Sequence, residues 1–110
     1  MVPHTIEKLE ARLRDSTAIT AESRAELLQL LSELKTEIAS LSRTDAERAQ
    51  DILRFTAVSA AEATRAEKNP EALRSAVDEL TGSVEDFEES HPQLAALINR
   101  IATTLSNLGI

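Results

Sequence analysis

The stretch Leu27-Leu28-Gln29-Leu30-Leu31-Ser32-Glu33-Leu34-Lys35-Thr36-Glu37-Ile38-Ala39-Ser40-Leu41 decides the fold. Leu27, Leu31, Leu34, Ile38 and Leu41 recur at alternating spacings of four and three, which puts them on one side of a helix. Leu28 and Leu30 widen that stripe. Thr20 stands where an N-cap would, and Glu22 falls in the first turn, where negative charge is favourable. The spacing therefore predicts a helix over residues 20–41.

Working outward, Ile6, Leu9 and Leu13 predict a short helix over 5–15, capped near His4 or Thr5. Ser16-Thr17-Ala18-Ile19-Thr20 is rich in side chains that bond locally to backbone and so reads as a connection. Downstream, Thr44-Asp45-Ala46-Glu47 fits a capping box and opens a third predicted helix over 45–68. Its inward stripe is Ala46, Ala49, Ile52, Leu53, Ala60 and Ala63, with Phe55 and Val58 off that face. Asn69-Pro70-Glu71 reads as an N-cap followed by proline at the first helical position, where the missing N–H costs nothing. A fourth helix, 70–89, carries Leu73, Val77, Leu80, Val84 and Phe87. The same alternation continues through His91 to Leu94, Ile98, Ile101, Leu105 and Leu108. Pro92 would cost an uninterrupted helix about 3 kcal/mol, so the reading places a kink or break at Ser90–Pro92 and a last helix over 92–108. Gly109 then serves as a C-cap with Ile110 folding back on the final turn. The expectation is one all-α domain over 1–110, a compact antiparallel bundle of four to five helices.

Composition narrows function. Two glycines and three prolines are too few for a protein of many short strands. Nineteen acidic against twelve basic residues give a net charge of −7, and two Phe with no Tyr or Trp offer no base-stacking platform, which argues against nucleic acid. The most apolar stretch, Leu94 to Leu108, is interrupted by Asn99, Arg100 and Thr103, which argues against a membrane span. No cysteine is present to ligate a metal or act as a nucleophile. No signal-like segment opens the sequence, so a cytoplasmic location is expected.

Three features invite a functional reading. Ser75 to Asn99 holds no Lys or Arg but contains Asp78, Glu79, Glu85, Asp86, Glu88 and Glu89, either a solvated face or a surface for a basic partner or divalent cations. Glu88 and His91 have the i, i+3 spacing of carboxylate–histidine metal ligands in helical bundles, but a single such pair lacks a full ligand set. The last helix is apolar over a wide arc that includes Leu94, Leu97, Ile98, Ile101, Leu105 and Leu108. With Phe55 and Val58, that arc predicts either a central bundle helix or an interface. No phosphate loop, nucleophile elbow or His-rich zinc motif occurs, and no cofactor is expected.

The ending Phe87-Glu88-Glu89-Ser90-His91-Pro92-Gln93-Leu94, followed by Asn99, Leu105 and Asn107-Leu108-Gly109-Ile110, resembles an uncharacterised family of short bacterial proteins, domain of unknown function 4404. The likeness is best over 73–110, weaker over 5–41 and absent from the alanine-rich middle. It implies a bacterial, cytoplasmic origin and no known activity. The leading expectation is a non-enzymatic interaction or scaffold module that self-associates or docks a partner helix. The alternatives are a small-ligand or metal-binding bundle and an acidic regulator of a basic protein surface.

Overall fold

Leu27, Leu30, Leu31, Leu34 and Ile38 are buried along one helix, α2 (Ala21–Ala39), and the rest of the chain is arranged around that seam. The computed structural model describes residues 2–65, 67 and 69–108, with side-chain positions from Thr5 onward. The other elements are α1 (Val2–Asp15), α3 (Arg43–Arg48), α4 (Gln50–Ala63), α5 (Pro70–Ser83), a 3₁₀ turn (Glu85–Phe87) and α6 (Pro92–Leu108), with no strand among the described residues. The expected Gly109 cap, Ile110 and the side chain of His4 lie outside the described residues.

Helix starts follow local chemistry. Thr20 caps α2, its hydroxyl accepting from Ser23 N at 3.1 Å, and Asn69 Oδ1 accepts from Ala72 N at 3.1 Å ahead of Pro70 in α5. Between α1 and α2, Arg24 Nε donates to the Leu13 carbonyl at 2.9 Å and Arg24 Nη2 donates to that of Ser16. The guanidinium thus satisfies carbonyls that the end of α1 leaves without helical partners. Lys35 Nζ and Glu10 Oε1, 3.2 Å apart, join the same two helices farther along.

Several boundaries differ from the sequence expectation, beginning with α1, which starts at Val2, so that His4 and Thr5 lie inside the helix rather than at its cap position. The single third helix is two helices that meet at Ala49, and the cap is Ser42, whose hydroxyl accepts from Asp45 N at 3.2 Å. Thr44 sits inside α3 and cannot cap it. No proline or glycine marks the bend at Ala49, where φ is −74° and ψ is −7°. It arises from packing, because α3 reaches toward residues 87–91 while α4 lies along α5, α1 and α6. α4 then ends at Ala63, short of the expected end at residue 68, because the Thr64 hydroxyl and N–H both donate to the Ala60 carbonyl and close the last turn.

α5 likewise stops at Ser83 rather than residue 89, so the interruption before α6 begins at Val84 instead of Ser90. Thr81 and Ser83 hydroxyls donate to the carbonyls of Asp78 and Leu80, a local competitor of the helix. Gly82 lowers helix propensity, and Glu85, Asp86, Glu88 and Glu89 would put four negative charges at the unfavourable end of the helix dipole. Val84 and Phe87 nevertheless remain buried, because the 3₁₀ turn keeps both against the core.

α6 packs against α2, α5 and α4, and its Leu94, Ala95, Leu97, Ile98, Ile101, Ala102 and Leu105 are all buried. The Cα radius of gyration, 13.0 Å, matches the ~13 Å of a compact chain of this length. α4 contributes Ile52, Leu53, Ala60 and Ala63 to the core and, against the expected stripe, Thr56 and Ser59 as well. The Thr56 hydroxyl donates to the Ile52 carbonyl at 2.7 Å, whereas the buried Ser59 Oγ has no hydrogen-bond partner among the described residues. A buried hydroxyl without a partner carries its desolvation cost uncompensated. Ser59→Ala is therefore expected to raise stability by about 1 kcal/mol, read as a higher urea midpoint at unchanged m-value.

Candidate functional site

The polar side chains that converge most closely join α3 to the start of α6. His91 is half-buried, and its carbonyl accepts from Ala95 N at 3.1 Å as the first bond of α6. Its N–H donates to the Phe87 carbonyl at 2.7 Å, closing the turn that Pro92 forces. The ring of Phe87 lies 5.7 Å from the imidazole, tilted by 37°. On the other side His91 Nε2 is 3.0 Å from Asp45 Oδ2. A carboxylate can only accept, so Nε2–H is the donor.

Asp45 Oδ1 also lies 3.4 Å from Arg48 Nη1, and the Arg48 guanidinium carbon sits 5.0 Å above the Phe87 ring. Asp45, His91, Phe87 and Arg48 thus close a four-membered ring of contacts between α3 and residues 87–91. The hydrogen bond from His91 is the chief cause holding the Asp45 carboxyl below its ordinary value. The charge of His91, the Ser42 hydroxyl and Arg48 add to it, and partial burial opposes it. A lowered carboxyl adds stability above the ordinary carboxylate range and loses it as pH falls through the lowered value.

The candidate ligand pair is arranged otherwise than its spacing suggests. Residues 88–90 form a turn rather than a helix face, Glu88 is exposed, and His91 takes Asp45 as its carboxylate partner. Among the described residues no three His, Cys, Asp or Glu side chains group to hold a metal ion. The carboxylate that His91 meets is 46 residues away in sequence, beyond the reach of any local spacing rule.

The expected interaction arc falls mostly inside one chain. Leu94, Leu97, Ile98, Ile101 and Leu105 are buried against other helices of the same molecule, and Leu108 and Phe55 are partly buried against the core. Within the two readings of that arc, the structure puts these residues in the centre of the bundle. Val58 is different: at 46% exposure it is the exposed large apolar side chain among the described residues. It lies one turn beyond Phe55, whose ring has the Arg54 guanidinium 5.3 Å from its centre.

The acidic stretch is open to water. Asp78, Glu79, Glu85, Asp86, Glu88 and Glu89 are all exposed, and none forms an ion pair among the described residues. A shallow groove of about 380 Å³ between α2 and α6, lined by Glu33, Thr36, Glu37, Gln93, Ala96, Leu97 and Arg100, opens elsewhere. No described helix is long and apolar enough to cross a membrane.

No curated protein and no solved structure matches the chain. A family profile does match, over residues 56–110, from the second turn of α4 to the end of the chain. It takes in the C-terminal, alanine-rich part of α4 that the resemblance set aside, and it leaves out residues 5–41, where a weaker likeness was expected. Val58, the acidic stretch and His91 fall within the matched half, whereas Asp45 and Arg48 lie outside it. With half of its length under that profile, the chain belongs to the family described as domain of unknown function DUF4404.

Proposed function

We propose that this protein is a non-enzymatic interaction module, bacterial and cytoplasmic, that docks a basic protein surface through the acidic side formed by the end of α5 and its connection to α6. One observation carries the reading: six exposed carboxylates between Asp78 and Glu89 have no ion-pair partner among the described residues. Some carboxylates elsewhere meet cations of the same chain, as in Lys35–Glu10, Arg54–Asp51 and Arg65–Glu62, whereas Ser75 to Asn99 offers the patch no Lys or Arg of its own. An unpaired patch of one sign raises the local concentration of opposite charge and speeds encounter with it. The net charge of −7 weighs against self-association through the same side. Support for a non-enzymatic role comes from the His91 cluster. Its imidazole N–H is engaged with Asp45, its ring lies against Phe87, and the nearby Ser42 hydroxyl caps α3.

Val58 beside Phe55 supports a second reading, a partner helix laid along the outer side of α4. The two readings differ in salt dependence. Calorimetric titration with a Lys-rich peptide is expected to show binding that weakens at least roughly tenfold between about 50 mM and about 500 mM salt. It should disappear when Asp78, Glu79, Glu85, Asp86, Glu88 and Glu89 are changed to Asn or Gln. Absence of binding, or binding indifferent to salt and to those changes, would overturn the acidic-face reading.

A further inference from the structure

α3 stands apart from the other helices. It is six residues long, none of them is fully buried, only Asp45 and Ala46 are half-buried, and among the described residues the polar and ring contacts that tie it to the rest of the fold are Asp45–His91 and Arg48–Phe87. A helix this short has no stability of its own, since isolated helices below about 12 residues are marginal in water. Its two ends are better anchored. Leu41 packs partly against the core before it, and Ala49 is fully buried after it at the bend into α4.

We propose that α3 is a latch, a segment that opens about residues 40–42 and Ala49 while the bundle stays folded, with Asp45 and Arg48 as the groups that hold it closed. Opening withdraws the guanidinium from the Phe87 ring, which is 2% exposed in the closed form, and frees the imidazole of His91. The latch thereby governs access to the aromatic side chains at the turn into α6. It spans the two halves of the chain, because α3 precedes the family-matched residues and its two contacts lie within them. Sub-global opening of this kind belongs to segments with few buried contacts, which is the condition α3 meets. The inference needs no partner molecule and stands independently of the acidic-face reading.

Native-state amide exchange on the full chain tests it. The N–H groups of Ala46, Glu47, Arg48 and Ala49 are expected to exchange through an opening that is nearly independent of low denaturant, whereas those of Leu34 and Ile98 follow global unfolding. Asp45→Ala, which removes the acceptor, and Arg48→Ala should each speed exchange across α3 by roughly fivefold to tenfold and leave α2 and α6 unchanged. His91→Gln, whose amide can still donate to Asp45, should give a smaller change. Exchange of α3 only together with the core, or exchange unaffected by both Asp45→Ala and Arg48→Ala, would overturn the proposal.

Discussion

Ile98→Ala is expected to lower the melting midpoint by roughly 12–16 °C, with a shift that does not depend on protein concentration. Ile98 is 0% exposed, on the side of α6 that the other helices cover. Truncating a buried isoleucine removes its transfer free energy and leaves a cavity that relaxes only in part, a cost of about 3–4 kcal/mol. For a domain near 100 residues each kcal/mol moves the midpoint by roughly 4 °C, which gives the stated range. The concentration test separates two origins of the loss. Were Ile98 covered by a second copy of the chain, mass action would make the midpoint rise with concentration. Because the covering helices belong to the same molecule, thermal melts followed by circular dichroism should superimpose across dilutions.

A second substitution gives a result opposite in sign to simple hydrophobicity. Ala60→Leu is expected to destabilise the fold by about 2 kcal/mol, although it adds apolar volume to a buried site. Ala60 is 4% exposed and belongs to the core cluster with Ala49 and Ala63. Transfer of three further carbons from water would favour the leucine by about 2.4 kcal/mol if space awaited it. Interiors are packed at crystal-like density, however, and α4 carries small side chains where it lies against α5, α1 and α6. Strain and displaced neighbours then outweigh the transfer gain. A guanidinium midpoint above that of the parent protein would mean that the alanine stripe borders a void.

These expectations depend on a fold that was legible wherever local chemistry decides an element. Thr20 before α2 and Asn69-Pro70 before α5 are caps whose function needs only the next three residues, and both are found as expected. The bend at Ala49 is of another kind. Nothing in Arg48-Ala49-Gln50 disfavours helix, and what divides α3 from α4 is attachment to Phe87 and His91, some forty residues later. The end of α5 falls between these cases. Gly82, the hydroxyls of Thr81 and Ser83 and the run of carboxylates after them all weaken a helix, yet the unbroken spacing of Val84, Phe87 and His91 pointed past them. That spacing correctly identified buried positions, since a 3₁₀ turn also keeps Val84 and Phe87 inward.

Legibility at the candidate site follows the same division. The acidic stretch was visible because it requires only a count of charges along the chain. The Asp45–His91 pair was not, and the i, i+3 spacing directed attention to Glu88 instead. Periodicity likewise established that α6 has an apolar arc without stating what covers it. Whether a helix, a second chain or a partner lies against such an arc is a tertiary fact, and here α2, α4 and α5 supply the cover.

The arc of α6 is closed by α2, α4 and α5 of the same chain. Sedimentation equilibrium over a wide concentration range at moderate salt tests it most directly. The expected result is a single species of 12.0 kDa at every concentration. A dimer that persists on dilution and dissociates on Ile98→Ala or Ile101→Ala, with those variants still folded, would contradict it.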